Sequence, residues 1–82
     1  MLNLEHVHNF LTKLGFDSCL GKAENGEPAV TATITRKNGN VQIFAIARGA
    51  RITKPNGTAK YYYEVSIGQF AQYVRQILAF NK

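Results

Sequence analysis

No aspartate or glutamate occurs between Pro28 and Tyr63, thirty-six residues of an 82-residue chain that has five acids to place. The same stretch holds six of the ten Lys and Arg side chains, namely Arg36, Lys37, Arg48, Arg51, Lys54 and Lys60. The rest of the chain sets four bases against five acids, so the net charge of +5 belongs to this one segment. An imbalance gathered in one block describes a surface, and hence a partner of opposite sign.

Other absences narrow the class. One cysteine, Cys19, with no CxxC partner excludes a disulfide-stapled scaffold and fits a reducing compartment. No run approaches the roughly 20 apolar residues of a membrane span. Residues 1–6 lack the basic flank and apolar core of a signal peptide. A soluble, cytoplasmic protein with no membrane partner is therefore expected. His6 and His8 stand two apart on a helix and point different ways, and no third ligand lies at metal-site spacing, so no metal is expected. Cys19 has no nucleophile signature around it and reads as a small buried hydrophobe. Glu24 and Glu27 read as loop solubilisers rather than an acid–base pair, and the glycines form no phosphate cradle. Neither enzymatic activity nor a cofactor is expected.

What is present suits one small basic domain over residues 1–82: an apolar content of 45% supports one core and leaves no length for a second. Stability at this size is modest, and a homodimer is a common supplement. Leu4, Val7, His8, Leu11 and Leu14 follow one helical face, with Asn3 to cap the start and Gly15 to end it. Residues 16–28 show no period and read as a loop with at most a short element near Ser18–Leu20. From Ala29 the period becomes two, with Val30, Ala32 and Ile34 alternating with Thr31, Thr33 and Thr35.

Asn38-Gly39 predicts a type I′ hairpin turn that would pair Ile34 with Ile43, Ala32 with Ala45 and Val30 with Ala47. The second strand runs to about Arg48, bends at Gly49 and resumes through Ala50–Thr53. Pro55–Thr58 makes a turn, and a third strand follows from Ala59 to about Ile67, with Tyr61, Tyr63 and Val65 facing the core and Tyr62 and Glu64 opposite. Ile67, Phe70, Ala71, Val74, Ile77 and Leu78 form one stripe of a second helix, Gly68–Phe80.

The expected fold is α+β in the order α-β-β-β-α, a three-stranded antiparallel sheet with two helices on one face. That order resembles the topology of double-stranded RNA-binding domains, which grip phosphate with lysines at the start of the second helix. Here that position reads Ser66-Ile67-Gly68-Gln69, and no family residue is carried across. Three-stranded sheets that read the DNA major groove, as in integrase arm-binding domains, suit the charge placement better.

The expected function is non-enzymatic nucleic-acid binding, to DNA before RNA, through the sheet face and two basic hairpins at opposite tips. In that reading Arg36, Lys37, Arg51, Lys54 and Lys60 hold phosphates. Arg48, Gln42 and the threonines reach bases, and Phe44 and Tyr62 give stacking contact. The alternative is a small protein-binding module or inhibitor that docks Phe44, Ile46 and a basic rim on an acidic or nucleic-acid-binding surface of a larger protein. A third arrangement pairs the outer face with itself in a homodimer.

Overall fold

In the computed structural model, residues 1–80 are described. Their order is α1 (Leu4–Lys13), β1 (Asp17–Lys22), β2 (Pro28–Arg36), β3 (Gly39–Ile46), β4 (Gly49–Thr53), β5 (Ala59–Tyr63) and α2 (Ile67–Phe80). The α+β class and the antiparallel sheet match expectation, but the sheet has five strands in the order β1-β2-β3-β4-β5 rather than three. With five strands, the topological resemblance to double-stranded RNA-binding domains lapses.

Both helices are written locally. The Asn3 side chain accepts from the His6 N–H (3.2 Å), Glu5 lies in the first turn of α1 and Lys13 in the last. At its end the Phe16 N–H donates to the Leu11 carbonyl (3.0 Å) and the Gly15 N–H to Thr12 (3.1 Å). Gly15 takes φ 101°, completing a Schellman motif. Ser66 and Gln69 form a capping box for α2: the Gln69 N–H donates to Ser66 Oγ (3.1 Å), and Gln69 Oε1 accepts from the Ser66 N–H (3.0 Å).

Both helices bury their apolar stripes on one face of the sheet. Val7, Leu11, Phe70, Val74, Ile77 and Leu78 meet Val30, Ala32, Val41, Ile43, Ala45, Ala50 and Ile52 in one core. Phe10 meets Phe70 edge to face at 6.3 Å.

Three departures from expectation have identifiable causes. First, β1 lies where a loop was read. It is an edge strand with almost every side chain outside the core, so it carries no alternation to detect. Its ladder to β2 and a 2.8 Å bond between His8 Nδ1 and Ser18 Oγ tie it down.

Second, the β2–β3 hairpin turns at Lys37-Asn38, with Arg36 opposite Gly39, so Ile34 pairs with Val41, Ala32 with Ile43 and Val30 with Ala45. Only Gly39 has positive φ (128°) there, whereas a type I′ turn needs two such residues. The two-residue slip preserves the face of every side chain, because the strand period is two.

Third, β3 and β4 are separate strands reversed at Ala47-Arg48, with Ile46 paired to Gly49. Neither Ala47 nor Arg48 signals a turn. A tertiary bond supports it instead: the Leu2 N–H donates to the Ala47 carbonyl (2.7 Å). With this extra reversal the β2–β3 and β4–β5 turns share one end of the sheet, where Gly39 backs onto Pro55. The two basic hairpins are therefore neighbours and not opposite tips.

Candidate nucleic-acid interface

The face away from the helices is built in rows by the strand registers. One row crosses all five strands as Cys19, Thr31, Phe44, Arg51 and Tyr61. Beside it runs a polar row of Asp17, Thr33, Gln42, Thr53 and Ala59, and on the other side Ile46, Gly49 and Tyr63. Cys19 is exposed at the end of its row, contrary to the burial expected of it.

Arg51 holds the middle of this face. Its guanidinium carbon sits 5.5 Å from the Phe44 ring centroid, a cation–π distance that keeps the charge over an apolar floor. Tyr61 and Tyr63 stand beyond it, 59% and 74% exposed, with rings nearly parallel (8°) and centroids 6.5 Å apart. Phe44, Ile46, Arg48, Arg51, Tyr61, Tyr63 and Glu64 enclose a depression of about 450 Å³. Gly49 leaves its floor bare, and a Cβ there would run into the Tyr62 carbonyl oxygen. A smaller hollow of about 130 Å³, lined by Thr31, Thr33, Gln42, Arg51 and Thr53, adjoins it on the same face.

The two acids that bracket the acid-free segment both lie beside Arg48, Glu27 by its side chain and Glu64 by its backbone. Glu27 pairs with its guanidinium at 3.6 Å, and Glu64, whose N–H donates to the Arg48 carbonyl (2.8 Å), lines the same depression. Arg48 thus has one carboxylate, that of Glu27, beside it at the rim, and Arg51 is the cation that the middle of the face presents.

Of the residues singled out from sequence, Gln42, Phe44, Arg48 and Arg51 come together on or at the rim of this face. Lys37 is exposed at the hairpin tip. Arg36 has the opposite parity, is half-buried, and its Nε finds no partner among the described residues. Lys54, Lys60 and Tyr62 line a separate hollow of about 210 Å³ with Tyr73 and Gln76 of α2, on the helix side.

The orientation expected for Tyr62 is therefore reversed. It lies half-buried with its ring 4.4 Å from that of Tyr73. Burial first, and the neighbouring Tyr73 second, push its phenol above the ordinary value. The cause of the reversal is Glu64, which takes a left-handed φ of 55°. Val65 is buried as expected, but the left-handed residue breaks the alternation, so Tyr61 and Tyr63 do not share its face. The expectation missed these two tyrosines, Gly49 and Glu64, and the acid immediately after three tyrosines offers no signal of a left-handed residue.

Among the described residues no cluster of three His, Cys, Asp or Glu side chains is placed to hold a metal ion, and no helix is long and apolar enough to cross a membrane. Comparison with known protein families, with curated proteins and with solved structures finds no match to this chain.

Proposed function

We propose that the open sheet face binds single-stranded nucleic acid, without catalysis. One observation carries the reading: exposed Tyr61 and Tyr63 and half-buried Phe44 are grouped around Arg51 on a face that neither helix covers. Aromatic side chains on a basic sheet stack unpaired bases at about 1–3 kcal/mol each, and a cation between them suits the phosphate chain. Thr31, Thr33 and Gln42 supply hydrogen-bonding groups along the same track. A duplex keeps its bases stacked inside and offers this platform no ring faces.

Fluorescence anisotropy with labelled single- and double-stranded DNA and RNA, at low and physiological salt, tests the proposal. Preference for single strands that survives physiological salt supports it, and the DNA and RNA arms decide the sugar. Affinity that ignores strandedness and vanishes with salt overturns it, because only a generic basic surface behaves so.

The apolar lining of the depression also suits a second reading, a module that seats a side chain of an acidic protein against Phe44, Ile46 and Arg51. In that case a purified acidic partner binds at this face, and Phe44→Ala with Ile46→Ala abolishes the binding, while oligonucleotides show no affinity at physiological salt.

A further inference from the structure

The open face ends at β5, and the hydrogen-bond pattern shows which backbone groups of this edge strand are free. Bonds from the Glu64 N–H to the Arg48 carbonyl and from the Lys54 N–H to the Thr58 carbonyl, each 2.8 Å, mark hydrogen-bonded pairs at the two ends of the β4–β5 ladder. Such pairs alternate along an antiparallel ladder. Lys60 and Tyr62 therefore turn their N–H and C=O groups towards β4, and Ala59, Tyr61 and Tyr63 turn theirs outward. Among the described residues no hydrogen bond reaches these outward groups.

Exposed edges are ordinarily blunted by proline, a bulge, a covering element or charge. β5 has no proline, and its single charge, Lys60, lies on the helix side. By contrast the other edge, β1, carries Asp17 and Lys22 at its ends and is bonded to α1 through Ser18 and His8.

We propose that two copies of this chain pair edge to edge through β5, antiparallel, with the two-fold axis passing between the two Tyr61 residues. The outward residues are three and are centred on Tyr61, which is what a symmetric antiparallel pairing requires. Tyr61 exchanges both backbone bonds with Tyr61 of the second copy, and Ala59 meets Tyr63 of the second copy at each end. Lys60 then lies opposite Tyr62 of the second copy and not opposite Lys60, so like charges do not face one another. Slipping the register by two residues would leave an end pair without its partner.

The pairing itself is independent of any ligand. If the nucleic-acid reading holds, the row Phe44, Arg51, Tyr61 continues across the axis into its copy, giving one unbroken platform with two Arg51–Tyr61 units.

Sedimentation from low micromolar to millimolar concentration, joined to amide hydrogen exchange by NMR, tests the pairing. The expected species has twice the 9.1 kDa mass of the chain. On its formation the Ala59, Tyr61 and Tyr63 amides slow together, while those of Lys60 and Tyr62 are protected at every concentration. Tyr61→Pro removes an N–H that points away from β4, so the monomer keeps its ladder and the dimer is lost. Tyr61→Thr, a strand former with its N–H intact, remains dimeric.

A monomer throughout the concentration range overturns the proposal, as does a dimer that Tyr61→Pro leaves intact. A dimer whose three outward amides exchange freely also overturns it, because it pairs by the open face instead. Should Tyr61→Pro fail to fold by circular dichroism, sedimentation and exchange of the unaltered chain still decide. A monomer that binds single strands removes the dimer alone and leaves the binding face standing.

Discussion

On β5, Tyr62 lies half-buried against Tyr73 with ring centroids 4.4 Å apart, whereas its neighbours Tyr61 and Tyr63 stand 59% and 74% exposed on the other face. Three identical side chains in a row thus meet two different environments. The helix side gathers Tyr62 into the packing of α2. The open side leaves two large rings in water, where folding gains little from them. Large aromatics placed where the core does not need them mark a contact surface. The basic residues divide the same way: Arg51 crosses the open platform, while Lys54 and Lys60 sit beside Tyr62 on the helix side.

Substitutions can break this contrast. The largest effect belongs to the covered face: Phe70→Ala, at a fully buried side chain, should cost about 3–5 kcal/mol of stability in chemical denaturation. The fraction that remains folded should bind oligonucleotide with unaltered affinity. Next, Arg51→Ala should leave stability nearly unchanged and lower the slope of log affinity against log salt by roughly 0.7, the contribution of one phosphate contact to a single strand. An unaltered slope would remove Arg51 from the interface.

Glu64→Asn sharpens the contrast in the opposite direction. Asparagine tolerates the left-handed conformation that Glu64 adopts, so stability should rise by up to about 1 kcal/mol. Removal of an acid from the rim of the depression should also tighten binding several-fold in the anisotropy assay. Weaker binding would mean that the carboxylate contacts the ligand.

The smallest effect concerns pH. Tyr62 has a phenol raised by burial and by Tyr73, so the folded state favours its neutral form. That contribution is complete below the unfolded phenol value of about 10 and is lost as pH climbs through the folded value. Tyr62→Phe should therefore flatten the alkaline fall in stability above about pH 10 and leave the neutral range unchanged, measured by denaturation at stepped pH.

The helices were legible because their signals are local: periodicity located both, and Asn3 and Gly15 cap the ends of α1 as read, while the Ser66–Gln69 box of α2 was not read from sequence. The β2–β3 hairpin was legible in its faces though not in its register, since a slip of two residues leaves the burial pattern intact. The β3–β4 reversal was hidden because Ala47-Arg48 is held by Leu2, far away in sequence. β1 was hidden because an edge strand outside the core needs no apolar alternation.

The site was half legible. Gln42 and Phe44 followed from strand parity, whereas Arg51 was assigned to a hairpin arm and reaches the open face because β4 is a separate strand that sets it opposite Phe44. The tyrosine assignment failed at one residue, Glu64, whose φ of 55° exchanges the faces of everything before it in β5. Charge counting also missed the partner of Arg48, because Glu27 lies just outside the segment in sequence and pairs with the Arg48 guanidinium in space.

The most direct test of the account is the affinity of the Tyr61→Ala, Tyr63→Ala double variant for a short oligo(dT), measured by fluorescence anisotropy beside Tyr62→Phe. With two stacked bases lost at roughly 1 kcal/mol or more each, the double variant should bind at least about thirtyfold more weakly, while Tyr62→Phe binds as the unaltered chain does. A folded double variant with undiminished affinity would contradict the assignment of the open face.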